Sequence, residues 1–362
     1  MNRNPLVSVV MAAHNVERYV ASAIESVLAQ TFTDFELVVV NDGSTDQTLQ
    51  QIQPYAQRDS RIRLIHQSRQ GIPRVRNTAC AHAAGKYIAV LDADDLALPD
   101  RLAKQVDYME TNPDVALLGG QVRYFNDQGL LDQYSQTPTD SEEVARRLPE
   151  RNAFIHSTVM MRREVFRAVG DYRFPYAEEY DLYLRFADRY RLANLPDVLT
   201  YYRVHPNQRS VTGTIGDVLF ALAARHCARA RRRTGSDPIQ GIPPNDVNVL
   251  LKVGVPSDEI VAALLTLPIL NVDRYMAQNE WATARALLTQ LDTVLRKVPS
   301  SRKARGQIAW LQSCTWKLRQ APLRKLYHLS RACCLDPNRF HDLLVATRNK
   351  WNKTLPAASH AR

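Results

Sequence analysis

Four short runs, apolar except for Ser8, Glu36 and Arg63, recur within the first 91 residues, at 6–11, 36–40, 63–65 and 87–91. Helical stripes separate them. Val20, Ile24, Val27 and Leu28 share one face of 17–30, Leu49 and Ile52 share one face of 45–55, and 72–84 is Ala-rich until Gly85 ends it. A short run as nearly apolar as these reads as a strand covered on both sides. Strands alternating with helices at this spacing need crossover connections, which predicts a mainly parallel α/β sheet flanked by helices.

The ends of these strands are polar. The first ends in Ala12-Ala13-His14-Asn15, the second in Asn41-Asp42-Gly43-Ser44-Thr45-Asp46, and the fourth in Asp92-Ala93-Asp94-Asp95. Open α/β sheets bind ligands outside the carboxyl ends of their strands, so three strands would deliver polar groups to one crevice. Asp42 could accept from a base or ribose while Gly43 permits close approach; the same residues suit a tight turn with a helix cap. Carboxylates as near as Asp92 and Asp94 repel each other, which points to a cation between them. The other reading of this segment is a solvated turn in which Asp95 caps a helix starting at Leu96. No Gly-x-Gly-x-x-Gly or Walker loop follows the first strand. A diphosphate would therefore rely on a cation and on basic groups such as Arg74 or Arg76.

Beyond residue 100 the pattern is mixed. Further strands are expected at 115–118 and 157–161, a short helix at 164–169 stopped by Gly170, and a longer helix within 175–192. Glu179, Tyr183, Phe186 and Tyr190 fall on one aromatic face of that helix, which should turn inward. A carboxylate on such a face could deprotonate a substrate hydroxyl; acids in a first helical turn also simply suit the helix dipole. Asp181 and Arg185 are spaced as a structural ion pair. His205, in a Pro-containing loop between Arg203 and Arg209, reads as a metal or phosphate ligand or as a polar surface residue.

At 362 residues the chain exceeds one ordinary core. A basic helix at 225–233 leads into a Gly/Pro-rich linker at 235–244, and from 246 to 350 only helical periodicity is visible. The segments 279–295 and 322–335 resemble paired helices, but two weak copies do not establish a repeat. The expected domains are 1–212, a helix and linker at 213–245, and a basic helical region at 246–362. Residues 1–212 hold 24 Lys and Arg against 27 Asp and Glu, whereas 213–362 hold 23 against 10. That polarity suits either an anionic surface, membrane or nucleic acid, or a basic face kept for solubility. The longest apolar run, 260–270, is too short to span a bilayer and is broken by Thr266 and Pro268. With no charged-then-apolar leader pattern and five cysteines in no metal spacing, a cytoplasmic protein with reduced thiols is expected.

Taken in order, the motifs of residues 5–212 resemble those of the family-two glycosyltransferases of GT-A fold. They are Ala13-His14-Asn15, the 40–46 segment, the 71–77 segment with Arg76 and Asn77, Asp92-Ala93-Asp94, Gly170-Asp171-Tyr172, the 177–185 segment, and Tyr202-Arg203-Val204-His205-Pro206. The resemblance implies a metal-dependent, inverting hexosyltransferase-type enzyme that moves a sugar from a nucleotide sugar, UDP-linked, to a hydroxyl. It implies donor binding by Ala13, Asn15, Asp42, Arg76, Asp92 and Ala93. Asp94 and His205 would hold Mn²⁺ or Mg²⁺, and Glu179 would be the general base. Two positions depart from the family pattern: Glu178-Glu179 stands for the usual Glu-Asp, and His14 for the usual Tyr.

The acceptor this implies is a saccharide or a lipid-linked saccharide, in cell-surface polysaccharide or glycolipid synthesis. The basic C-terminal region could then bring the enzyme to an anionic inner membrane face. The competing expectation is a GT-A-like nucleotide-binding or scaffold protein whose helical tail holds partners. Nucleic acid is not favoured as a partner, since no zinc, helix-turn-helix or aromatic ribonucleoprotein signature is present.

Overall fold

The computed structural model of the chain describes residues 4–205, 208, 214–239, 248–277, 281–299 and 305–306. The early apolar runs form β1 (Val7–Ala13), β2 (Phe35–Asp42), β3 (Ile62–Gln67) and β4 (Tyr87–Val90), parallel neighbours in the spatial order β3-β2-β1-β4. The intervening stripes form the crossover helices α1 (Val20–Leu28), α2 (Thr48–Arg58) and α3 (Ile72–His82). Leu37, Val38, Val39 and Val40 have no exposed surface, because helices cover both faces of this half of the sheet. Each such side chain contributes roughly 1.5–3 kcal/mol by leaving water. From α1, Val20, Ala23, Ile24 and Val27 pack into the same core.

The second half of the sheet makes it mixed. It comprises β5 (Leu96–Ala97), β6 (Val115–Asn126), β7 (Gly129–Tyr134), β8 (Met160–Arg162) and β9 (Arg191–Arg203). β8 runs antiparallel between β4 and β6, β9 lies parallel to β6, β5 is antiparallel on β9, and β7 forms a hairpin on β6. Flanking it are α4 (Arg101–Thr111), α5 (Ser141–Arg147), α6 (Arg163–Val169), α7 (Glu178–Ala187) and α8 (Thr214–Thr234).

Three local expectations change. Asp95 does not cap a helix at Leu96, since Leu96–Ala97 is extended and pairs with Tyr201 and Thr200. Those pairings satisfy the backbone laterally, and the helix begins only after Asp100. β6 continues through Gly119 and Gly120 because the chain passes too close to its neighbours for side chains there. A Cβ at Gly119 would lie 2.2 Å from Asn194 Oδ1, and one at Gly120 would lie 2.5 Å from Leu199 Cδ1. The strand expected at 157–161 begins as a 3₁₀ turn, His156–Thr158. Thr158 Oγ1 there donates to Ile155 O at 2.8 Å and accepts from Gly120 N at 3.1 Å, a local pairing that competes with the ladder.

The chain divides into two compact units, Met1–Val249 and Leu250–Arg362. α8 packs on the first, with Phe220 against the rings of Phe174 at 5.5 Å and Tyr176 at 6.0 Å. Its Arg231 pairs with Asp188 and Asp237, so part of the basic helix is engaged in ion pairs. A short helix, α9, spans Asn248–Lys252. In the second unit, α10 (Ser257–Ala277) and α11 (Trp281–Leu295) bury Ile260, Leu264, Ala284, Leu288 and Leu291. The expected helix at 322–335 lies outside the described residues, as do residues 240–244 of the linker. Among the described residues no helix is long and apolar enough to cross a membrane. Among the described residues, Cys80 and Cys227 are buried free thiols.

Candidate active site

The carboxyl edge of the parallel strands is built by side chains that tie one strand end to the next. Ala13 ends β1, buried, opposite Asn41 of β2. Asn15 follows with a φ of 52°, a left-handed conformation that Asn tolerates, and its Oδ1 accepts from Thr45 N at 2.8 Å. His14 lies 2.9 Å, through Nδ1, from Asp42 O. The Asp42 carboxylate, 1% exposed, accepts from Gln67 Nε2 and Gln70 N at 2.8 Å and from Gly71 N at 2.9 Å. It therefore holds the turn leading into α3. Gly43 has a φ of 61°, and a Cβ there would lie 2.6 Å from Arg69 N.

The acids after β4 have different environments. Asp92 receives Arg76 Nη2 at 3.0 Å, and its backbone N donates to Ser157 Oγ at 3.1 Å. Burial works to raise its pKa, but Arg76 and His156 outweigh it and hold the carboxyl below the usual range. Ala93 is buried. Asp94 Oδ2 lies 3.0 Å from His205 Nε2. Asp95, 1% exposed, accepts from Arg203 N at 2.8 Å. Burial, and then repulsion from Asp94 and Asp92, pushes its pKa well up.

The two arginines of α3 also separate: Arg74 is exposed, whereas Arg76 points inward. Arg76 spans two carboxylates, Asp92 through Nη2 and Glu178 through Nη1, with its guanidinium 5.8 Å from the ring of Tyr172. Burial opposes its charge, but Glu178 and Asp92 carry its pKa up. Asn77 fixes the same region by donating to Tyr172 O at 2.8 Å and accepting from Tyr172 N at 2.9 Å.

At the start of α7, Ala177 is left-handed, with φ 49° and ψ 31°. An L side chain in that region costs about 1–2 kcal/mol. The turn it makes sends Glu178 inward, with no exposed surface, and leaves Glu179 half-buried with Oε1 3.5 Å from Asn152 Nδ2. Of the Glu178–Glu179 pair, the inward carboxylate is thus Glu178, one position before the one the aromatic stripe suggests. Asp181 is fully buried and paired with Arg173 at 2.7 and 2.8 Å and with Arg185 at 3.0 Å.

Residues 8–170 match the sequence profile of glycosyl transferase family 2. An uncharacterized glycosyltransferase of Haemophilus influenzae is 32% identical over 222 residues, 58% of this chain and 69% of that protein. The O-antigen biosynthesis glycosyltransferase WbnJ of Escherichia coli is 32% identical over 205 residues, 55% of this chain and 80% of that protein. The chain belongs to glycosyl transferase family 2. This family 2 glycosyltransferase also shares its fold with solved enzymes of low identity. The mannosyltransferase PcManGT from Pyrobaculum calidifontis, in complex with GDP-Man and Mn²⁺, aligns with a TM-score of 0.50 at 19% identity, covering 93% of this chain and 89% of that one. S. aureus TarS 1–349 in complex with UDP-GlcNAc aligns with a TM-score of 0.51 at 17% identity, covering 87% and 91%. The mixed sheet with its flanking helices is the GT-A fold.

The donor set of this glycosyltransferase fits a divalent ion. Asp94 Oδ2 and His205 Nε2, an oxygen and an imidazole nitrogen, are 3.0 Å apart. Neighbouring ligands each about 2.1 Å from an octahedral ion stand about 3 Å apart. Among the described residues no group of three or more His, Cys, Asp or Glu converges, so further ligands would come from water or a bound diphosphate. Arg203, Ser157, Asn152 and Tyr19 also belong to this edge. Only Arg203 carried a sequence signal, through its place in the 202–206 segment; the others reach the site by folding alone.

Proposed function

We propose that the chain is a metal-dependent inverting glycosyltransferase that moves a sugar from a nucleotide sugar, UDP-linked, to a hydroxyl of a saccharide or lipid-linked saccharide in cell-surface polysaccharide or glycolipid synthesis. The observation that carries this reading is the division of labour among the acids: Asp94 meets His205, Asp92 meets Arg76, and Glu179 alone of its pair keeps access to solvent. Relatives in O-antigen and amylovoran biosynthesis support the pathway class.

Asp42 fastens the 67–71 turn and lies where a nucleobase would be received, flanked by Ala13 and Asn15. Asp92, kept ionised beside Arg76, is the acceptor for donor hydroxyls, with Ala93 backing it. Asp94 and His205 hold Mn²⁺ or Mg²⁺, which when bound would supply Lewis-acid stabilisation to the departing nucleoside diphosphate. Glu179 takes the proton from the attacking hydroxyl, and Glu178, locked on Arg76, fixes the helix start from which Glu179 projects. The extra methylene of Glu179, relative to the family's usual Asp, lengthens the reach from α7 to the acceptor.

Nucleoside diphosphate release should appear only when protein, Mn²⁺ or Mg²⁺, a nucleotide sugar and a hydroxyl acceptor are combined. Retained turnover in both Asp94→Ala and Glu179→Gln would remove the site assignment. Peripheral association with an anionic membrane face is tested by liposome co-sedimentation of the full chain with anionic and neutral vesicles across a salt series. Binding indifferent to lipid charge would exclude it.

A further inference from the structure

His205 lies past the last residue of β9, where no strand ladder orients it. Its backbone neighbour Val204 donates to Phe125 O at 2.8 Å and is 40% exposed. Among the described residues, the imidazole meets Asp94 Oδ2 at 3.0 Å and the ring of Tyr19, whose centroid is 4.9 Å away. Tyr19 is in turn held by Arg203, whose guanidinium lies 4.6 Å from the Tyr19 ring and 4.2 Å from the Phe125 ring. The same arginine donates through Nε to Asp94 O at 2.8 Å and through its backbone N to Asp95 Oδ1 at 2.8 Å. One side chain thus fixes the backbone of one proposed metal ligand and the aromatic support of the other.

From this geometry we infer that Tyr19 and Arg203 are positioning residues for the Asp94–His205 cation site, forming an aromatic–guanidinium stack that sets the ring plane of His205 against Asp94. The inference rests on the proposed metal role of that pair. Tyr19 comes from the turn before α1 and Arg203 from the end of β9, so the stack joins the first-strand side of the crevice to the last strand. Its physical basis is orientation. A cation over an aromatic face and a tilted ring pair are directional contacts, and partners behind metal ligands typically set affinity by about 10–100-fold when removed.

The test measures Mn²⁺ affinity of the full chain by calorimetry in the presence of UDP, alongside UDP affinity in metal-free buffer and the unfolding midpoint. Tyr19→Ala and Arg203→Lys should each weaken Mn²⁺ binding roughly tenfold or more. Metal-free UDP affinity should stay unchanged, and Tyr19→Phe, which keeps the ring, should bind Mn²⁺ like the unaltered protein. Mn²⁺ affinity unchanged in Tyr19→Ala overturns the inference, as does an equal loss of metal and metal-free UDP binding, which marks general destabilisation. Absence of any Mn²⁺ binding by the unaltered protein, with UDP still bound, overturns the metal assignment itself together with the inference. Tight Mn²⁺ binding indifferent to Tyr19 and Arg203 overturns the inference alone.

Discussion

The guanidinium of Arg76 donates to the carboxylate of Glu178, and the glutamate side chain has no exposed surface. Glu179, the next residue, stays half-buried beside Asn152. Two chemically identical neighbours should therefore fail differently. Glu179→Gln should lower kcat by about a hundredfold or more with the unfolding midpoint unchanged. Glu178→Gln should cost about 3 kcal/mol of stability, because it leaves a buried arginine partly uncompensated. Steady-state kinetics and calorimetry of the two variants check this; a stable Glu178→Gln and an unfolded Glu179→Gln would reverse the assignment.

Chelation bears on the 3.0 Å pair of Asp94 and His205. Exhaustive EDTA treatment should abolish nucleoside diphosphate release, and added Mn²⁺ or Mg²⁺ should restore it. Asp94→Asn should raise the Mn²⁺ concentration needed for half-maximal rate by about tenfold or more. Full activity after verified metal removal would exclude the ion from the reaction.

Asp181 supplies the pH prediction. Burial works to raise its pKa, but Arg185 and Arg173 outweigh it and hold the carboxyl below its usual value. A depressed folded pKa means the stabilisation is present above the unfolded value near 3.9 and is lost as pH falls through the folded one. Asp181→Asn should cost about 3 kcal/mol at neutral pH, and the gap to the unaltered protein should close in acid below about pH 4. Urea unfolding at neutral and acidic pH measures both; a gap constant with pH would remove the ion pair as its cause.

Gly43→Ala places a Cβ 2.6 Å from Arg69 N in a backbone with φ of 61°. Strain of about 1–2 kcal/mol, before any clash, should loosen the turn that Asp42 secures. We expect UDP to bind roughly tenfold more weakly by calorimetry. An unchanged affinity would detach this turn from nucleotide binding.

How much was legible beforehand differs from element to element. β1 to β4 and their crossover helices follow directly from apolar runs and stripes, because burial on both faces leaves so plain a mark in local sequence. β5 does not, because its backbone partners lie far along the chain. The 3₁₀ turn at His156–Thr158 closes on Ile155 O and His156 O, local bonds inside a run whose composition reads as strand. Asp95 shows the same limit as β5: a cap signature was present locally, yet Arg203 N, 108 residues away, takes its carboxylate.

The sequence by itself determined the fold class, the strand ends that carry polar groups and the order of the family motifs, since these depend on periodicity and spacing along the chain. Tertiary structure alone decided which of two arginines and which of two glutamates turn inward. It also decided that Asp94 meets His205 while Asp95 meets Arg203. Those outcomes rest on contacts between segments roughly a hundred residues apart, where burial selects the charged group that can find a partner and leaves its neighbour to solvent.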